Sequence, residues 1–133
     1  MRYLLDVNAL IALGFVEHTL HDRVAAWVRS LAAKGKPDLA TCAMTELGFV
    51  RVLAQTTQYG LTVAEARTLL LRMKAGRRLK LAFIGDDRDI SHLPAWVKTA
   101  KQTTDGHLAE LARANGAILA TLDERIAGAF LIP

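Results

Sequence analysis

Asp6, Glu46, Asp105 and Asp123 are scattered along the chain, and each stands where solubility alone explains a carboxylate poorly. Asp6 ends the apolar run Tyr3 to Leu5 and opens Asp6-Val7-Asn8, where it could also cap a helix. Glu46 lies in a predicted helix from Cys42 to about Ala54. Cys42, Ala43, Phe49, Val50 and Leu53 fall at i−4, i−3, i+3, i+4 and i+7 around it, so its neighbours are largely apolar. An ionised carboxylate there is costly unless paired or metal-bound, the alternative being a snorkelling surface glutamate; Arg51, at i+5, points to another side of the helix. Asp105 heads a stripe of Leu108, Ala109 and Ala112, an alignment with the buried face that a favourable helix-dipole contact does not explain. Asp123 follows Ala120-Thr121-Leu122 and could cap a short helix containing Arg125 and Ile126.

Carboxylates converging on one pocket repel one another and raise each other's pKa values unless cations neutralise them. Oxygen-only donors select hard ions such as Mg²⁺ or Mn²⁺, and Mg²⁺ uses only one or two carboxylates directly, leaving the other acids to act through water. Zinc is disfavoured: His18, His21, His92 and His107 form no HExxH or Cys/His cluster and read as surface or structural residues. With a hard metal the natural reaction is phosphodiester hydrolysis by metal-activated water. GxSxG, P-loop and GxGxxG motifs and a catalytic Cys with a matched His are all absent, which removes the main competing chemistries.

The elements that must position these acids are strands alternating with helices. Tyr3 to Leu5 and Ala117 to Leu122 are apolar runs ending at acids, as buried parallel strands do; Asp38 to Thr41 and Lys80 to Ile84 are weaker strands. Val24, Trp27, Val28 and Leu31 mark an amphipathic helix closed by Gly35. Thr62 and Glu65 form a capping box for a helix through Leu69, Leu70 and Met73 to Gly76, and another helix is expected from about Thr104 to Asn115. Gly85 to Pro94, with Asp86, Asp87 and Asp89, reads as a solvated surface loop. The pattern predicts an α/β sandwich with a mainly parallel sheet, in which ligand sites lie at the carboxyl ends of the strands. Asp6 and Asp123 stand at two such ends.

The 133 residues, 52% apolar, suit one domain across 1–133. The apolar stretch Ala9 to Val16 is too short for a membrane span and poorly built for a signal peptide, so a cytoplasmic protein without a membrane role is expected. Cys42 reads as a small buried apolar residue. Seventeen Lys and Arg oppose thirteen Asp and Glu; with four acids set aside for metal, the remaining surface carries about +8, a field that attracts RNA. The densest basic segment, Arg72, Lys74, Arg77, Arg78 and Lys80, reads either as a solvated helix end or as an RNA track.

Taken in order, Asp6-Val7-Asn8, Thr45-Glu46-Leu47-Gly48-Phe49-Val50-Arg51, Thr104-Asp105-Gly106-His107-Leu108 and Ala120-Thr121-Leu122-Asp123 resemble the PIN-domain family, and within it the VapC toxins of bacterial toxin and antitoxin pairs. The resemblance runs from about Tyr3 to Ile126. It implies a three-layer α/β/α sandwich and a Mg²⁺ or Mn²⁺ site on Asp6, Glu46, Asp105 and Asp123, with Asp6 and Asp105 as direct ligands and Asn8 and Thr121 supporting them. It further implies endoribonuclease action on structured RNA such as transfer or ribosomal RNA, a homodimer, and inhibition by a cognate antitoxin. Arg51 matches a position where many relatives carry Arg, and is a candidate substrate residue. Val7 departs from the Thr or Ser common in the family. The same acids fit a PIN-type nuclease of RNA maturation or of DNA equally well; a catalytically silent RNA- or partner-binding module fits them less economically, having no need to assemble repelling carboxylates.

Overall fold

A computed structural model describes residues 1–133. Its elements are β1 (Arg2–Leu5), α1 (Val7–Gly14), α2 (His21–Ala33), β2 (Asp38–Cys42), α3 (Ala43–Gln55), α4 (Val63–Ala75), β3 (Leu81–Ile84), α5 (Thr103–Ala114), β4 (Ala117–Thr121) and β5 (Phe130–Leu131). The strands form one sheet in the order β3-β2-β1-β4-β5, and every pairing is parallel. No helix is long and apolar enough to cross a membrane.

Because successive strand residues point to opposite faces, each strand feeds two cores. Leu5, Leu39 and Ala120 point into one, packed with Val24, Trp27, Phe49, Leu53 and Leu70 from the helices between β1 and β3. Leu4, Ala40 and Leu119 point into the other, against Leu108, Leu111 and Ala112 of α5. The result is the expected three-layer α/β/α sandwich, with α1 to α4 on one face and α5 on the other.

The local signals act as the residue types dictate. Thr62 Oγ1 accepts from Glu65 N (3.1 Å) and Glu65 returns the bond to Thr62 N (3.0 Å), the reciprocal capping box that starts α4. Gly116 ends α5 at φ +66°, a conformation open to a residue without Cβ. Gly48 has a packing role: a Cβ there would collide with the Val7 side chain, so its absence lets α3 approach α1 closely.

Chain order fixes where a site can lie. The chain moves from β1 outward through β2 to β3, then crosses to the other side of β1 for β4 and β5. Neighbouring connections therefore diverge between β1 and β4, opening a crevice outside their carboxyl ends. Asp6 follows β1 there and Asp123 closely follows β4.

Candidate active site

Asp6 fills the capping role weighed from sequence. It is the N-cap of α1, accepting from Val7 N at Oδ1 (2.8 Å), and its other oxygen accepts from Thr121 Oγ1 (2.8 Å). The residue is only 6% exposed, and burial pushes its carboxyl above the ordinary range; the bonds from Thr121 and Val7 oppose that shift, and the charge of Asp123 adds to it.

Thr121 is the hub of the crevice. Its single hydroxyl hydrogen is committed to Asp6, and its oxygen accepts from Asp123 N (3.0 Å) and, more loosely, from Asn8 Nδ2 (3.4 Å). Asn8 Oδ1 accepts from Leu122 N (3.2 Å), so β4 and the start of α1 are laced together through side chains.

Asp105, in the first turn of α5, also has its carboxyl raised. Burial is the main cause, followed by the charges of Asp6 and Asp123; Arg125 partly offsets them, and no hydrogen bond does. Asp123 shifts the other way. Arg125 donates from Nε (2.9 Å) and Nη2 (3.0 Å) to its two oxygens, and Arg125 N adds a bond of 2.9 Å, holding the carboxyl below its usual range. Residues 124–127 form turns rather than the expected short helix, because Asp123 accepts from the backbone two residues on and closes an Asx turn.

Glu46 lies outside this electrostatic group. Its Oε2 accepts from Thr41 Oγ1 (2.6 Å) and from Lys74 Nζ of α4, and it contributes nothing to the charges acting on the three aspartates. The partner predicted to be missing from its own helix comes from the next one. Arg51 is exposed on α3 and likewise exerts no resolved effect on the acids. Asp86 lies in the exposed loop after β3, as expected, and accepts from His107 Nε2 (2.5 Å).

No three of these side chains are drawn together as a ready metal-binding group. The donors nonetheless fit a hard cation: Asp6 and Asp105 are the two carboxyls whose charged forms are disfavoured, and two carboxylates with water are how Mg²⁺ is characteristically held. Arg125 and Lys74 are the residues that sequence reasoning missed. Arg125 depends on a turn whose shape the spacing did not announce, and Lys74 lies 28 residues from Glu46.

Residues 3–129 match the PIN domain family model. The chain belongs to the PIN-domain family. Within it the chain is similar to Ribonuclease VapC38 of Mycobacterium tuberculosis, 38% identical over 97% of this chain and 88% of that protein. It is also similar to Ribonuclease VapC44 of the same organism, 36% identical over 96% and 89%. Among solved structures, this PIN fold matches one of VapBC2 from Rickettsia felis bound to a DNA fragment from its promoter, with a TM-score of 0.61, 16% identity and coverage of 98% of this chain and 97% of that one. It matches the M. tuberculosis toxin VapC20, described as cleaving the sarcin-ricin loop, at TM-score 0.61 and 12% identity over 94% and 92%. At those identities the structural matches speak for the fold.

Proposed function

We propose that this PIN-domain protein is a metal-dependent endoribonuclease, the cytoplasmic toxin of a toxin-antitoxin pair, with Asp6, Glu46, Asp105 and Asp123 as its acidic site. The observation that carries this reading is the crevice between β1 and β4, where Asp6 and Asp105 are held in an environment that disfavours their charged forms. Relatives named as ribonucleases, similar over nearly the whole chain, support this reading.

Asp6 and Asp105 would hold Mg²⁺ or Mn²⁺, which when bound lowers the pKa of water and stabilises charge on a scissile phosphate. Thr121 and Val7 N fix both Asp6 oxygens in place, so the carboxylate is oriented before substrate arrives. Asn8 holds the loop after β4 at Leu122 N, which sets where Asp123 projects. Asp123 orients the exposed Arg125 guanidinium as a fork that suits a substrate phosphate, and Arg51 offers a second cation on α3. Glu46, tied to Lys74 and Thr41, supports the edge of the site in this reading.

The reading includes a protein antitoxin and a homodimer. Leu47 (71% exposed), Phe83 (54%) and Leu71 (49%) line a mainly apolar groove of about 490 Å³ between α3, α4 and β3, the kind of surface that partners cover. Induced expression of the chain alone is expected to arrest bacterial growth. Asp6→Asn, or co-expression of a cognate antitoxin, should restore growth. Unimpeded growth with abundant folded parent protein would remove the toxin role.

A further inference from the structure

The end of the sheet opposite the acids carries the reverse charge. Arg2 at the start of β1, Lys36 before β2, and Arg77, Arg78 and Lys80 before β3 border one cavity of about 580 Å³ with a single carboxylate, Asp38. Arg2 Nε donates to Asp38 (2.9 Å), so that acid is already engaged. Lys36, Arg77, Arg78 and Lys80 form no ion pair. The start of β1 and the connections into β2 and β3 thus bring five cations together against one anion, a local excess equal to the formal +4 of the whole chain. Helix-dipole complementarity accounts for Arg72 and Lys74 in the last turn of α4, but Arg77 and Arg78 lie beyond its Gly76 cap. Grouping them costs self-repulsion, which a bound polyanion relieves.

We infer that this basic pole is a second RNA-binding site, taking backbone phosphates remote from the cut. The inference rests on the ribonuclease reading for its choice of RNA. A crevice lined by carboxylates gives a polyanion little net attraction, so affinity must come largely from cations elsewhere. Arg2 starts β1 and Asp6 immediately follows it, four residues on and about 13 Å away at ~3.3 Å per residue of extended chain, and a nucleic acid strand places a charge every ~3.4 Å. An RNA cut at the acids therefore reaches the pole only when it extends several nucleotides along the flank. Edge strand β3, parallel to the others, runs from the pole toward the end of the sheet that carries the acids.

The test compares the parent with Lys36→Ala/Arg77→Ala/Arg78→Ala, whose three side chains are exposed and whose unfolding temperature should match the parent's. Binding to bulk transfer RNA is followed by anisotropy in an Asp6→Asn background, and cleavage is followed in the active protein. The triple variant should bind transfer RNA ~10-fold or more weakly, with the slope of log affinity against log salt flattened by about 2 to 3. KM for long RNA should rise with kcat unchanged, while kcat/KM for a trinucleotide centred on the cut stays the same. Unchanged transfer RNA affinity and salt slope overturn the inference, as does an equal loss on the trinucleotide. Tighter, patch-dependent binding of duplex DNA than of RNA would assign the pole to DNA and overturn it too. The two readings fail separately: a parent that cuts no RNA, with patch-dependent RNA binding intact, removes the nuclease and keeps the subsite.

Discussion

At neutral pH and without divalent metal, the Asp105→Asn protein should unfold at a higher temperature than the parent, while its RNA cleavage with Mg²⁺ falls by more than about a hundredfold. The two effects have one origin. Burial first, and the charges of Asp6 and Asp123 next, hold the Asp105 carboxyl above its ordinary pKa, and Arg125 compensates only in part. A carboxyl raised on folding stabilises the fold in its protonated form. That contribution is fully present below the unfolded value, about 3.9, and is lost as pH rises through the folded one. At pH 7 the charged form therefore weighs against the fold, and the neutral amide removes that load. The gain in unfolding temperature should shrink as the pH is lowered and vanish near pH ~3, where the parent carboxyl is also neutral. Metal reverses the order: Mg²⁺ should raise the parent's unfolding temperature and leave the variant's nearly unmoved. Removing groups that merely support metal ligands typically costs about 10- to 100-fold, so loss of a direct ligand should exceed that range. A variant that is stabilised but cuts normally would make Asp105 a bystander.

Thr121→Val should lower both stability and activity, in contrast to Asp105→Asn. Valine keeps the shape and removes the hydroxyl, leaving Asp6 Oδ2 without its donor and Asp123 N without its acceptor inside the crevice. Leaving buried polar groups unpaired costs about 1–3 kcal/mol. Burial already pushes the Asp6 carboxyl upward, and the Thr121 bond is the largest influence opposing it. Without that bond the carboxyl should rise further, so the ascending limb of the pH–rate profile moves to higher pH and cleavage at neutral pH falls about 10- to 100-fold. Denaturant unfolding and a pH–rate profile check the two halves. Thr121→Ser, which keeps the hydroxyl, should restore the profile; an unshifted profile in Thr121→Val would mean that Asp6 does not act through this bond.

What the sequence disclosed follows from the range over which its signals act. The strands β1 and β4 were legible because each is an apolar run stopped by an acid, and α4 because Thr62 and Glu65 cap it within one turn. Helix α1 left only an apolar stretch, since Ala9, Leu10, Ile11 and Ala12 are buried in succession and display no polar face to give a period. Strand β5 has two residues, too few for alternation to show; Phe130 is fixed instead by packing against Tyr3 and Trp27. The same limit applies at the site. Asp6, Asp105 and Asp123 could be picked out because strand ends and a helix stripe pointed to them. The pairing of Glu46 with Lys74 depends on how α3 and α4 pack, and the clamp of Arg125 on Asp123 depends on a turn where a short helix was equally compatible with the residues.

The most direct test of a metal-dependent ribonuclease at the β1–β4 crevice is cleavage of total cellular RNA by the purified, partner-free protein, with the new ends mapped by sequencing. Mg²⁺ or Mn²⁺ should produce discrete cuts that disappear with EDTA and with Asp6→Asn. Cuts that persist in EDTA, or in folded Asp6→Asn, would contradict a metal site at this carboxylate, and intact RNA with folded, metal-bound parent protein would contradict the ribonuclease itself.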